Sequence, residues 1–132
     1  FLEKGDHSNA LKCFAQVLEN ENTEKDHAIY HEMALIHMRM GDYEMAMRYF
    51  KDTLPMKKSE FGENHLEVAS VLRHIAFVYF TKGEYDIALS YYEEALAVLK
   101  LNTFDFEEIV GVLSYIVDIY IERSQFDFEE IV

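Results

Sequence analysis

Gly83-Glu84-Tyr85-Asp86-Ile87-Ala88-Leu89-Ser90-Tyr91-Tyr92-Glu93-Glu94-Ala95-Leu96 is the stretch that decides the fold. A glycine turn leads into a segment whose small residues, Ala88 and Ala95, and large ones, Tyr85, Leu89 and Tyr92, recur at helical spacing. They therefore share one face of an amphipathic helix. The same phrase stands earlier as Gly41-Asp42-Tyr43-Glu44-Met45-Ala46-Met47-Arg48-Tyr49-Phe50, and in worn form as Gly5-Asp6-His7-Ser8-Asn9-Ala10-Leu11-Lys12-Cys13-Phe14. In every copy an alanine follows the glycine and an aromatic ring follows one turn later.

The residues before each turn agree as well. Ala34-Leu35-Ile36-His37-Met38-Arg39-Met40 leads to Gly41, and Ala76-Phe77-Val78-Tyr79-Phe80-Thr81-Lys82 leads to Gly83. A drifted copy, Val117-Asp118-Ile119-Tyr120-Ile121-Glu122-Arg123, leads to Ser124, with Phe126 in the place of Tyr43 and Tyr85. The turns at positions 5, 41, 83 and 124 lie 36, 42 and 41 residues apart. Self-similarity at such a period predicts an all-α solenoid of stacked helix pairs.

The residues Ala76, Gly83, Tyr85, Ala88, Tyr92 and Ala95 resemble the mark of the tetratricopeptide repeat family. The longer repeat and the run Phe61-Gly62-Glu63-Asn64-His65-Leu66-Glu67-Val68-Ala69 look like the kinesin-light-chain type, with Leu66 where that type usually has proline. The resemblance covers nearly the whole chain. It implies a right-handed superhelix of about seven helices in antiparallel pairs, whose inner surface binds extended or helical peptides. The family's groove positions carry over as three columns: His31, Arg73 and Ser114; Leu35, Phe77 and Asp118; Met38, Phe80 and Ile121. Arg39 and Thr81 stand beside the last column. The family's carboxylate clamp needs asparagine where Leu35 and Phe77 stand, so chaperone C-terminal tails are not expected ligands.

Composition narrows the partners. The chain has 132 residues, half of them hydrophobic, and a net charge of −13. That length suffices for one domain with a continuous core. The charge argues against nucleic acid and against an anionic membrane surface, both of which need surplus Lys and Arg. The longest apolar stretch, Ile109 to Ile121, is interrupted by Ser114 and Asp118 and is shorter than the ~20 residues a span requires. No leader pattern opens the sequence, and the single cysteine fits a reducing compartment, so the expected location is cytoplasmic.

Taken in order, the periodicity predicts helices at about 6–20, 24–39, 42–57, 65–81, 84–100, 105–123 and 125–132. They form one array: a partial repeat over 1–20, repeats over 24–58 and 65–100, and a degenerate repeat or cap over 104–132. The sequence begins in mid-repeat, so Phe1 and Leu2 are expected to expose apolar surface. Pro55 is expected to fray the end of its helix. Asn64, with Glu67 following, is the expected N-cap. Glu129 falls where Ala46 and Ala88 stand, suggesting a polar cap. Phe-Asp-Phe-Glu-Glu-Ile-Val occurs at 104–110 and again at 126–132; a local duplication is one origin, and the sequence leaves others open.

Little in the chain promises catalysis. His27 and His31 share a helix face at a spacing able to hold a metal. The zinc-protease signature after His31-Glu32 requires a second histidine where Leu35 stands, so it fails. Ordinary surface or groove histidines are expected, with His37 and His74 as packing residues. Cys13 is expected on the inner face of its helix as a buried, inert thiol. No glycine-rich phosphate loop exists. No enzyme activity, cofactor or metal is therefore expected.

The apolar strip of Leu35, Met38, Phe77 and Phe80, edged by Arg39 and Arg73, suits a short peptide with an aromatic or aliphatic anchor and adjacent acids. The competing reading is that neighbouring helices cover the strip. Kinesin-light-chain repeats hold cargo adaptors in this way, so an interaction scaffold is the leading expectation. The alternatives are a structural or oligomerisation module stacking through exposed repeat ends, and an accessory array of a larger enzyme. A further possibility is that the aromatic and acidic segment 125–132 occupies a groove as a self-ligand.

Overall fold

The computed structural model of the protein describes residues 4–20, 27–102 and 106–131. Six α-helices make up this part: α1 (Lys4–Asn20), α2 (His27–Arg39), α3 (Tyr43–Phe61), α4 (Leu66–Thr81), α5 (Tyr85–Asn102) and α6 (Phe106–Ile131). No strand occurs among the described residues. The chain divides into two compact units, Phe1–Glu60 and Phe61–Val132.

The helix-to-helix turns explain why the repeat works. At Gly83, with φ +81, the amide of Gly83 donates to the carbonyl of Phe80 (3.0 Å) and that of Glu84 to Tyr79 (2.9 Å). At Gly41, with φ +80, Gly41 donates to Met38 (3.1 Å) and Asp42 to His37 (2.9 Å). Both are Schellman closures, which need a left-handed residue that glycine adopts without a Cβ penalty. The next helix starts at once: the amide of Met45 donates to Asp42 Oδ1 at 3.3 Å, capping α3.

In the first unit, α2 buries Met33, Ala34 and Ile36, and α3 buries Ala46, Met47 and Phe50. Tyr49 stacks on Tyr30 (centroids 5.6 Å, 30°) and on His37 (5.6 Å, 14°). Two polar residues of α3 are buried. Thr53 returns its hydroxyl to the carbonyl of Tyr49 at 2.7 Å, and Lys57 Nζ lies 2.9 Å from His31 Nδ1.

In the second unit, Ala69 and Ala76 of α4 pack with Ala88, Leu89 and Tyr92 of α5 and with Val112, Ile116 and Ile119 of α6. Tyr79 stacks on Tyr91 at 5.8 Å and 6°. Small residues bring the helices together and rings fill the space beyond them. Ala88 has no exposed surface. Replacing it by leucine is expected to cost about 1–3 kcal/mol by overpacking, measured as a lower urea midpoint with unchanged m.

The structure corrects several expectations. The helices expected at 105–123 and 125–132 are one continuous helix, α6. Ser124 stands where Gly41 and Gly83 turn the chain, and a serine has no easy access to the left-handed conformation, so α6 runs on. Helix α3 continues through Pro55 to Phe61 instead of fraying near 57, because buried Thr53 and Lys57 flank the proline. The N-cap of α4 is His65, not Asn64: its backbone is extended (φ −96, ψ 148) and its Nδ1 accepts from the Glu67 amide at 3.0 Å. Cys13 is exposed, not buried, because the described part of α1 buries His7 on its inner face and turns Cys13 outward. Phe1 and Leu2, and the side chain of Glu129, lie outside the described residues.

Candidate functional site

Each unit presents its own set of the expected groove positions. On α2 of the first unit, His31, Leu35 and Met38 are half-buried and Arg39 is exposed. His31 turns its ring into the helix pair, edge-on to Phe50 (6.0 Å, 69°), and uses Nδ1 on Lys57. His27 pairs through Nε2 with Glu60. The two histidines that a metal would share are thus each engaged by a residue of α3. Among the described residues no His, Cys, Asp and Glu group is arranged to hold a metal ion.

In the second unit the site is built on α4 and α6. Arg73, Phe77 and Phe80 lie one turn apart on α4, all half-buried. From α6, Tyr115 enters between them. Its ring meets Phe77 edge-on at 5.8 Å and 81°, and Phe80 at 5.3 Å and 78°. On its other side Tyr115 stacks on Tyr92 of α5 at 5.2 Å and 6°. Phe80 also meets Tyr85 at 5.5 Å and 65°. Edge-to-face and offset pairs of this kind each contribute about 0.5–1.5 kcal/mol beyond burial. The rings therefore form one rigid block with a half-open side.

Charge frames the block. Arg73 reaches Glu108 at 3.6 Å, both side chains about one third exposed. A pair so open to water contributes at most about 1 kcal/mol, so either partner can be exchanged for a ligand group. Thr81 donates its hydroxyl to the carbonyl of Phe77 at 2.8 Å and is spent on its own helix. Ser114, Asp118 and Ile121 are exposed on α6.

Sequence reasoning did not single out Tyr115 or Glu108. Tyr115 follows the groove column residue Ser114 directly, and an aromatic next to such a position was the available signal. It also missed the burial of Lys57. No helix among the described residues is long and apolar enough to cross a membrane.

The tetratricopeptide repeat family profile matches residues 25–100, more than half of the chain. The chain belongs to the tetratricopeptide repeat family, and its long repeats are of the kinesin-light-chain-like kind. BtubC (BKLC) from P. vanneervenii shares the fold, with a TM-score of 0.81 at 23% identity. The likeness covers 96% of this chain and 54% of that one, so this chain spans about half of its length. No curated protein sequence matches the chain.

Proposed function

We propose that the protein is a non-catalytic interaction scaffold whose second unit takes a short peptide on the α4–α6 face. The peptide carries an aromatic or aliphatic anchor with an acidic neighbour. The observation that supports this is the half-open ring block of Phe77, Phe80 and Tyr115 with the guanidinium of Arg73 beside it. An anchor side chain lies against the exposed ring faces, and its neighbouring carboxylate replaces Glu108 on Arg73. Arginine suits this exchange because its planar fork binds a carboxylate through two parallel hydrogen bonds. The rings are held in place before any ligand arrives, which lowers the ordering cost of binding.

The test uses a fluorescein-labelled peptide of about ten residues bearing one tyrosine flanked by aspartates, read by anisotropy. Arg73→Glu is expected to weaken binding more than tenfold, about 1.4 kcal/mol, with helicity intact by far-UV circular dichroism. Glu108→Gln frees Arg73 and is expected to strengthen binding severalfold. Unchanged affinity in Arg73→Glu rejects this site.

A further inference from the structure

Sulfur is distributed unevenly along the chain. All six methionines lie between positions 33 and 56, and the single cysteine is Cys13, so every sulfur atom belongs to the first unit. The second unit is built on the same repeat and has none.

The repeat register shows that the repeat itself does not call for sulfur. With Gly41 aligned to Gly83, Met33, Met38, Met45, Met47 and Met56 stand where the second unit carries Ile75, Phe80, Ile87, Leu89 and Val98. Two of these methionines belong to the core: Met33 is 6% exposed and Met47 8%, against 1% for Ile75 and 8% for Leu89. The other four, Met38, Met40, Met45 and Met56, are half-buried. The first unit thus fills core positions with thioethers where its sister unit uses hydrocarbon.

A thioether is the apolar side chain that a mild oxidant makes polar. Its sulfur lone pair attacks one oxygen of a peroxide and the O–O bond breaks. The sulfur keeps that oxygen as a sulfoxide, and the other leaves as water. Sulfur is oxidised by two electrons and the peroxide is reduced by two. The new oxygen is a strong acceptor, and in an apolar core it loses its water without gaining a donor. Met33 lies on α2 between Tyr30 and His37, the two rings on which Tyr49 of α3 stacks. Met47 precedes Phe50, whose ring meets His31, by one turn of α3. A sulfoxide at either position therefore sits among the ring contacts that join α2 to α3.

We infer that the first unit carries an oxidation switch. A peroxide converts Met33 and Met47 to sulfoxides, α2 and α3 separate, and the second unit keeps its fold because it offers the oxidant no sulfur. The four half-buried methionines react from the closed state. Met33 and Met47 react when the unit opens, and their sulfoxides then oppose its closing. Methionine sulfoxide reduction restores the thioethers and the fold. The switch does not depend on the Arg73 site.

The test uses the full chain carrying Cys13→Ser, an exposed position, so that no thiol contributes. The protein is treated with hydrogen peroxide, and peptide mass spectrometry reads which methionines gain one oxygen. Hydrogen exchange then follows the two units separately. Amides of α2 and α3 are expected to lose protection by at least about tenfold, while those of α4 and α5 change by less than about twofold. Methionine sulfoxide reductases are expected to reverse the loss. Leucine replaces methionine at little cost, so Met33→Leu with Met47→Leu is expected to keep its protection under the same treatment, with the four outer methionines oxidised. Should the double variant lose protection before treatment, Met33→Leu and Met47→Leu singly carry the same comparison.

Three results overturn the switch. The first is full protection of α2 and α3 with Met33 and Met47 oxidised, or failure of those two to react. The second is an equal loss in the leucine variant, which would assign the effect to the outer methionines. The third is an equal loss in the second unit, which would make the oxidation damage general.

Discussion

Tyr92→Ala is expected to remove about 3–5 kcal/mol from the second unit, enough to unfold a domain of ordinary stability. Tyr92 has no exposed surface, and its ring lies flat on Tyr115 within the cluster that joins α4, α5 and α6. Truncation leaves a ring-sized cavity among helices that cannot close upon it. Tyr92→Phe behaves in the opposite way. The phenol oxygen is buried and has no hydrogen-bond partner among the described residues. Deleting it keeps the stack and removes a desolvated hydroxyl, so stability is expected to rise by about 1 kcal/mol.

The pH dependence gives a second reading of the same group. Burial raises the Tyr92 phenol above its ordinary value near 10; Tyr115 adds to the rise and Arg73 opposes it. A raised folded-state pKa favours the neutral phenol in the native protein. Its contribution is complete below about pH 10, the unfolded value, and is lost as pH climbs above it. Urea titrations at pH 7 and pH 11 are expected to show the native protein losing more stability than Tyr92→Phe. Equal losses would show that Tyr92 does not govern the alkaline limb.

Phe50→Ala is expected to do to the first unit what Tyr92→Ala does to the second, at a similar cost of about 3–5 kcal/mol. Phe50 has no exposed surface and presents its face to the edge of His31. The cavity would open beside the Lys57–His31 contact and admit water to it. Phe50→Leu, closer in volume, is expected to cost about 1.5 kcal/mol or less. Thermal unfolding with residues of the first unit followed by hydrogen exchange checks both, and a loss below 1 kcal/mol for Phe50→Ala would exclude Phe50 as the centre of that core.

The architecture was legible because it is written in residue size at fixed period. Ala34, Ala46, Ala76, Ala88 and Ala95 recur in the repeated phrases, and all are fully buried. Gly41 and Gly83 were expected at turns, and both adopt positive φ. What escaped was decided by single residues acting against the period. Ser124 keeps the right position and lacks the glycine conformation, so the last hairpin becomes a rod. Lys57 reads as a surface charge and is buried, with its Nζ 2.9 Å from Nδ1 of His31, twenty-six positions earlier.

The site was less legible than the fold, because groove columns fix where a side chain starts and not what reaches it. Phe77 and Phe80 were expected to line an open strip. They are half-covered by Tyr115, whose ring comes from the following repeat. Arg73 was expected at the strip's edge, and its contact with Glu108 depends on a residue outside the columns. No sequence period records such cross-helix pairings.

The chain has no tryptophan and nine tyrosines, so the ring block doubles as an optical gauge. Tyr92 and Tyr115 lie nearly parallel at close range, as do Tyr79 and Tyr91, and such pairs couple their transitions. Near-ultraviolet ellipticity reports fixed aromatic packing, and these two pairs tie part of it to α4, α5 and α6. Occupancy of this face can thus be watched from within, by unlabelled protein, through chromophores the fold itself has aligned.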